Sequence, residues 1–225
     1  MTTTTDRADA ATAFDPGGTG HAGHAETGWD RRKRATRTAL RYAAVALVEE
    51  RGLSGVTVEE IAAEAGVSTR TFFNYFPTKE DAVIGWEPSA IAELVDHLLR
   101  RPDHERPVEA VRHTLAEVIL PGDGDYRALL RRLQVIRSDH HLVAHYVLRF
   151  GDTEQALVAA LAQRRGTDPA TDRYAALVAA SVLAASRVAL MAWCEDEGRV
   201  PLGEVMAEHL DMLGAGLPEP TEARR

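Results

Sequence analysis

Apolar positions recur at three- and four-residue spacing along most of this chain, and no stretch shows the strict alternation or hairpin turns of strands. The pattern predicts an all-α fold. In VTVEEIAAEAGVSTRTFFNYFPTK, from Val56 to Lys79, the residues Val58, Ile61, Ala62 and Ala65 mark one short helix. Phe72 and Phe76, four apart, mark the docking face of a second. Thr57 with Glu60 three residues on is a capping box for the first. Gly66 stands where a chain leaving a helix needs positive φ, and Ser68 caps the second helix. Pro77 ends that helix. Thr78 starts a fourth, with Asp81 at the capping-box position, expected to reach about Arg100 with a kink or break at Pro88.

Further apolar series predict helices from Pro107 (Val108, Val111, Leu115), over Asp123–Arg137 (Leu129, Leu133, Ile136) and over His140–Arg165 (Leu142, Tyr146, Leu157, Leu161). Asp168-Pro169 reads as the cap and first turn of a helix to Trp193, and Leu202 to Leu213 forms the last. The pattern divides the chain into a tail over 1–28, a three-helix helix-turn-helix domain over 29–85, a helical bundle over 86–216 for ligand binding and dimerisation, and a tail over 217–225.

The second short helix carries chemistry on its other face. A helix that reads DNA places the side chains of its N-terminal half at base edges and its flanks on phosphate. Arg70 is the candidate for a bidentate contact to guanine, Thr69 for a thymine methyl or base hydrogen bond, and Asn74, one turn on, for a further base contact. Arg34, Thr57, Ser68, Tyr75 and Lys79 are the phosphate candidates.

Composition sharpens this picture. The 225 residues carry a formal net charge of −8, which argues against a general basic coating of nucleic acid. Positive charge is concentrated instead in Arg31, Arg32, Lys33, Arg34, Arg37 and Arg41, which open the first helix. The one cysteine, Cys194, excludes an internal disulfide and a cysteine metal cage. No secretion signal is visible, and Ser181, Ser186 and Arg187 interrupt the apolar run from Ala175 to Trp193, so a cytoplasmic protein without membrane contact is expected. There is no nucleophile elbow, Gly-rich phosphate loop or catalytic carboxylate pair, so no enzyme and no cofactor are expected. His21, His24 and the His140, His141, His145 group raise a metal question, but the acidic partners for a site are lacking and none is expected.

The helix from Asp168 to Cys194 is apolar over several faces and needs covering on several. One cover is the chain's own core. The other is the same helix of a second subunit, joined by Val205, Met206 and Leu210, which predicts a homodimer around a twofold axis. Candidate pocket liners are Leu98, Leu115, Leu133, Tyr146, Tyr174, Leu183 and Trp193. Arg187, a lone cation in an apolar helix, needs an internal carboxylate or an acidic ligand group. Arg131, Arg132 and Arg137 read as a solvated face or a rim.

From about Arg37 to Val83 the chain resembles the TetR/AcrR family of bacterial transcriptional regulators. The resemblance rests on ALRYAAVALVEERGLSGVTVEEIA, the turn AEAGVS and the stretch TRTFFNYFPTKED. Phe73 departs from it, standing where the family usually has Tyr, so no polar contact is assigned there. The resemblance implies that Tyr75 and Lys79 grip the DNA backbone and that the protein is a dimer. It is similar to an actinobacterial branch associated with acyl-CoA-like ligands. The expected function is a ligand-responsive regulator, most simply a repressor. It would bind a palindromic operator in double-stranded DNA as a homodimer and be released by a small lipophilic effector such as an acyl-CoA. An activator of the same family, or a helical small-molecule binder without an operator, are the alternatives.

Overall fold

A computed structural model describes residues 28–119 and 125–218. The expected tails, with His21 and His24, lie almost wholly outside the described residues. Within these, the chain is helical and contains no strand: α1 (Gly28–Arg51), a 3₁₀ turn (Leu53–Gly55), α2 (Val58–Glu64), α3 (Thr69–Tyr75), α4 (Lys79–Ile84), α5 (Pro88–Arg100), α6 (Pro107–Ile119), α7 (Tyr126–Ser138), α8 (His140–Arg165), α9 (Arg173–Glu195) and α10 (Leu202–Gly214).

The α2–turn–α3 geometry has the local causes read from the sequence. Thr57 Oγ1 accepts from the Glu60 N–H, and the Glu60 carboxylate accepts from the Thr57 N–H at 2.9 Å, a complete capping box. Gly66 takes φ +69°, which an L side chain would resist. Ser68 caps α3 by accepting from the Thr71 N–H.

Several helix starts differ from expectation. The single fourth helix is two: α4 ends at Gly85, φ +72°, and α5 begins at Pro88. Proline has no N–H to continue α4 and holds Glu87 extended, so the break falls before it. The Asp168-Pro169 pair forms a turn instead of a cap; the Asp168 carbonyl accepts from Thr171 and Asp172, and Asp172 caps α9. Asp125 caps α7, which runs from Tyr126. At α4, Thr78 caps the Asp81 N–H, but the Asp81 carboxylate is not part of a capping box.

Two apolar cores result. One holds α1–α4 together through Leu40, Ala44, Val48, Ile61, Phe72, Phe76 and Val83, and it also takes in Val135, Ile136 and Leu142 from α7 and α8. The other joins α5–α10 through residues such as Leu98, Leu161, Val182, Trp193 and Leu210. The α9 helix is long and apolar enough to cross a membrane by length and composition, which the sequence reading had discounted. Here it packs against α8 and α10 with Val178, Val182, Ala189 and Leu190 buried, as the central helix of a bundle does.

The Asp81 carboxylate, fully buried, turns toward α8. Arg149 clasps it with Nε at 2.7 Å and Nη2 at 2.9 Å, His145 Nε2 lies at 2.9 Å, and Thr78 Oγ1 donates to it at 2.9 Å. Arg149 also lies 4.1 Å from the Trp86 ring centroid, so the link between α4 and α5 is held in the same cluster. Burial by itself would raise the Asp81 pKa; the hydrogen bonds from His145, Thr78 and Arg149 outweigh it and hold the group below the ordinary carboxylate value.

A lowered folded-state pKa means that this clamp stabilises at pH above the unfolded value and is lost as pH falls through the folded one. Melting followed from pH 7 to pH 3 should therefore show stability falling below about pH 4. Asp81→Asn should cost about 3 kcal/mol, because it strands a partly buried arginine, and should flatten that acid limb. An unchanged acid limb in the variant would remove Asp81 from this role.

Candidate nucleic-acid interface

The α3 helix is anchored from below and open above. Phe72 is fully buried, with its ring 6.0 Å from Phe76 and edge-on to Phe73 at 5.5 Å. That anchoring leaves Arg70, Asn74 and Phe73 exposed, with Thr69 beside them at half exposure. Arg70 and Asn74, four apart, share one face of a single helix, so the three base-contact candidates are gathered on one surface. Phe73 is 54% exposed there, an apolar group amid polar ones.

The phosphate candidates fare unequally. Ser68 is exposed at the start of α3, and its hydroxyl is shared with Thr71 Oγ1 at 2.8 Å. Tyr75 is half-buried, and its ring lies 5.8 Å from the Arg37 guanidinium. Arg34 is exposed on α1. Lys79 is turned inward: Nζ donates to the carbonyls of Leu53 at 2.7 Å and Val56 at 2.8 Å, closing the 3₁₀ turn onto α4. Thr57 is likewise committed, because Glu60 accepts from both its N–H and its hydroxyl. Both side chains hold the motif in shape, and the Lys79 ammonium keeps a third N–H beyond these two bonds. The cause is proximity in three dimensions, since carbonyls left open by a 3₁₀ turn attract the nearest ammonium.

The basic cluster also divides. Arg37 reaches back to the Trp86 carbonyl and to Glu87, and stacks on Phe76 at 5.0 Å. Arg41 lays its stem over Gly85. Arg31, Arg32, Lys33 and Arg34 remain on the exposed surface of α1.

Five of the eight pocket candidates share one core, and the other three stand apart from it. Leu98, Leu115, Leu133, Leu183 and Trp193 belong to the bundle core. Trp193 Nε1 donates to the Val200 carbonyl at 2.9 Å, which accounts for its polar end. Tyr146 packs against the other core, and burial pushes its phenol up to about 12 against the opposing pull of Arg132 and Arg187. Tyr174 is 46% exposed under the Arg165 guanidinium. Arg187 is exposed, so it needs no buried counter-charge, and it forms no ion pair among the described residues. Of the histidines, His145 serves Asp81 and His140 stacks on His141.

The sequence reading missed a cleft of about 480 Å³ between α1 and α7, lined by Arg41, Tyr42, Asp125, Tyr126, Arg131 and Arg132 among others. It also missed the Asp81–Arg149 clamp, whose partners lie 68 positions apart with no local spacing to reveal them.

Comparison with known proteins agrees with this geometry. Residues 40–83 match the model for bacterial regulatory proteins of the tetR family, and residues 105–218 match that for the MftR C-terminal domain. MftR of Mycobacterium tuberculosis, whose name assigns it to transcriptional regulation of mycofactocin biosynthesis, is 26% identical over 187 residues, covering 83% of this chain and 93% of its own. TcmR of Streptomyces glaucescens, an HTH-type transcriptional regulator, is 29% identical over 170 residues, covering 72% of this chain and 75% of its own. In three dimensions SmeT, the repressor of a Stenotrophomonas maltophilia efflux pump, solved with triclosan, superposes at a TM-score of 0.56 with 19% identity, covering 84% of this chain and all of SmeT, a likeness of fold. With a helix-turn-helix reader at one end and a matching helical body behind it, this chain belongs to the TetR family of bacterial transcriptional regulators, not to the enzymes.

Proposed function

We propose that this regulator is a homodimeric repressor that binds a palindromic operator and is released by a small lipophilic effector. The observation that carries the reading is the polar face of α3, Thr69, Arg70 and Asn74, held outward by the buried Phe72 and Phe76. In this reading Arg70 contacts guanine, Thr69 and Asn74 contact neighbouring bases, and Ser68, Tyr75 and Arg34 rest on phosphate. The α2 and α4 helices frame the reader, and the helix-turn-helix domain ends near Gly85.

Support for the dimer comes from α9. Leu177 is 65% and Val188 47% exposed, with Ala184 exposed between them, an apolar stripe that a monomer leaves in water. Met206 and Leu210 of α10 face the chain's own core, so the proposed contact runs along α9 with Val205 and Met212 at its edge. A twofold pair of such subunits sets two readers about 34 Å apart, one turn of duplex, or a multiple of it. An effector that prefers another spacing then releases the operator by shifting the population. SmeT holds triclosan on the same fold; a fatty-acyl thioester is the effector that the apolar bundle and the family branch suggest.

Selection of operator fragments from genomic DNA tests the reading, and failure to retain any fragment would end it. Arg70→Ala should weaken operator binding by about 1–3 kcal/mol and relax choice at one base position, whereas Arg34→Ala should weaken all sequences alike and lower the salt slope by about 1. Lys79→Met should act differently. It strips two carbonyls of their donor, so thermal stability should fall by about 1–3 kcal/mol while the salt slope of the folded protein holds. Leu177→Glu, measured by sedimentation, should convert dimer to monomer.

A further inference from the structure

The cleft between α1 and α7 brings together two half-buried guanidinium groups, Arg132 and Arg41. The Arg132 head lies so close to Gly85 that a Cβ built there would collide with Nη1, and the Arg41 stem would meet the same Cβ at 2.9 Å. Neither guanidinium has an ion pair among the described residues, although both line the cleft. The other charges on its walls are already committed or open to water. Arg131 pairs with Glu49 at 2.6 Å, Asp125 accepts from Tyr42 at 2.9 Å and caps α7, and Arg127 is exposed. Burial first, and the charge of Arg41 second, draw the Arg132 pKa down to about 10, the signature of a cation short of a counter-charge. A half-buried cation without an acid is costly, and two side by side cost more.

We propose that this cleft is a binding site for a small amphiphilic organic anion, its carboxylate or phosphate held by Arg132 and Arg41. Guanidinium forks match both head groups in geometry. The body of the ligand would lie on the partly exposed rings of Tyr42 and Tyr126 and against Val45 and Leu129. The volume, about 480 Å³, suits a molecule of one or two rings. The walls come from α1 on one side and α7 on the other, so an occupant bridges the DNA-reading unit and the body. It would do so directly above the Gly85 bend. Binding stands apart from the operator reading; only a consequence for operator affinity rests on it.

Titration calorimetry on the full chain, in low-salt buffer, uses benzoate, phenyl phosphate, inorganic phosphate and neutral benzamide as probes. Saturable one-to-one binding of benzoate or phenyl phosphate is expected, with benzamide at least tenfold weaker. Whichever aromatic anion binds more tightly names the head group; inorganic phosphate binding as tightly as phenyl phosphate would overturn the ring contact. Arg132→Met should weaken the aromatic anions at least tenfold without lowering the melting temperature, because it removes an uncompensated charge. Arg132→Lys should fall between, and Arg199→Met, remote on the surface, should change nothing. Equal affinity for benzamide and benzoate, or undiminished binding by Arg132→Met, would overturn the proposal. The benzamide comparison needs no variant and decides the matter even if Arg132→Met folds poorly. Weakened operator binding by a folded Arg132→Met with no anion present would assign that guanidinium to the duplex and also overturn it.

Discussion

A buried carboxylate must be paired, and the pairing of Asp81 sets the relation between the two ends of this molecule. Its charge sits inside the core of α1–α4, yet two of its donors, His145 and Arg149, belong to α8. Leaving that carboxylate unpaired would cost several kcal/mol, so the pairing ties α4 to α8. α4 in turn follows α3 after only the short Phe76–Thr78 connection. The path from α8 through α4 to α3 therefore contains no long loop.

The apolar packing reinforces this link. Val135, Ile136 and Leu142 cross from the body into the core beneath the reader, so the two units share a core instead of merely touching. Between them the backbone bends at Gly85, the one place in the link where the chain takes a left-handed conformation. Arg37, Arg149, Arg132 and Arg41 all converge on the short segment from Gly85 to Glu87, by ion pair, stacking or close packing. This segment is where α1, α4 and α7 meet.

Much of the reading end was legible in the sequence because its determinants are local. The Thr57–Glu60 box, the Gly66 turn, the Ser68 cap and the Phe72–Phe76 face each act within four residues, and each is found as expected. Lys79 shows where that logic stops. Its place in the motif marks it for phosphate, and the structure also bonds it to the carbonyls of Leu53 and Val56, 26 and 23 residues away, which no local spacing reveals. Arg132 is the converse. It sits in a run that reads as solvated, RRLQ, and only the packing of α7 against α1 and α4 turns it inward. The pocket liners were not legible for a further reason: core and cavity use the same apolar side chains, and Leu115 or Leu133 would have the same sequence environment in either.

The sequence by itself determined the helical class, the order of helices, the caps and turn of the reader, and which residues of α3 stand outward, since these follow from periodicity and from hydrogen bonds a few residues long. Only the tertiary structure decided which charges pair: Asp81 with Arg149, Arg37 with Glu87, Arg131 with Glu49, and Arg132 with none among the described residues. The physical reason is range. A helix is specified by neighbours along the chain, but the fate of a charge depends on the dielectric and the partners around it, and those are assembled only when distant helices close on one another.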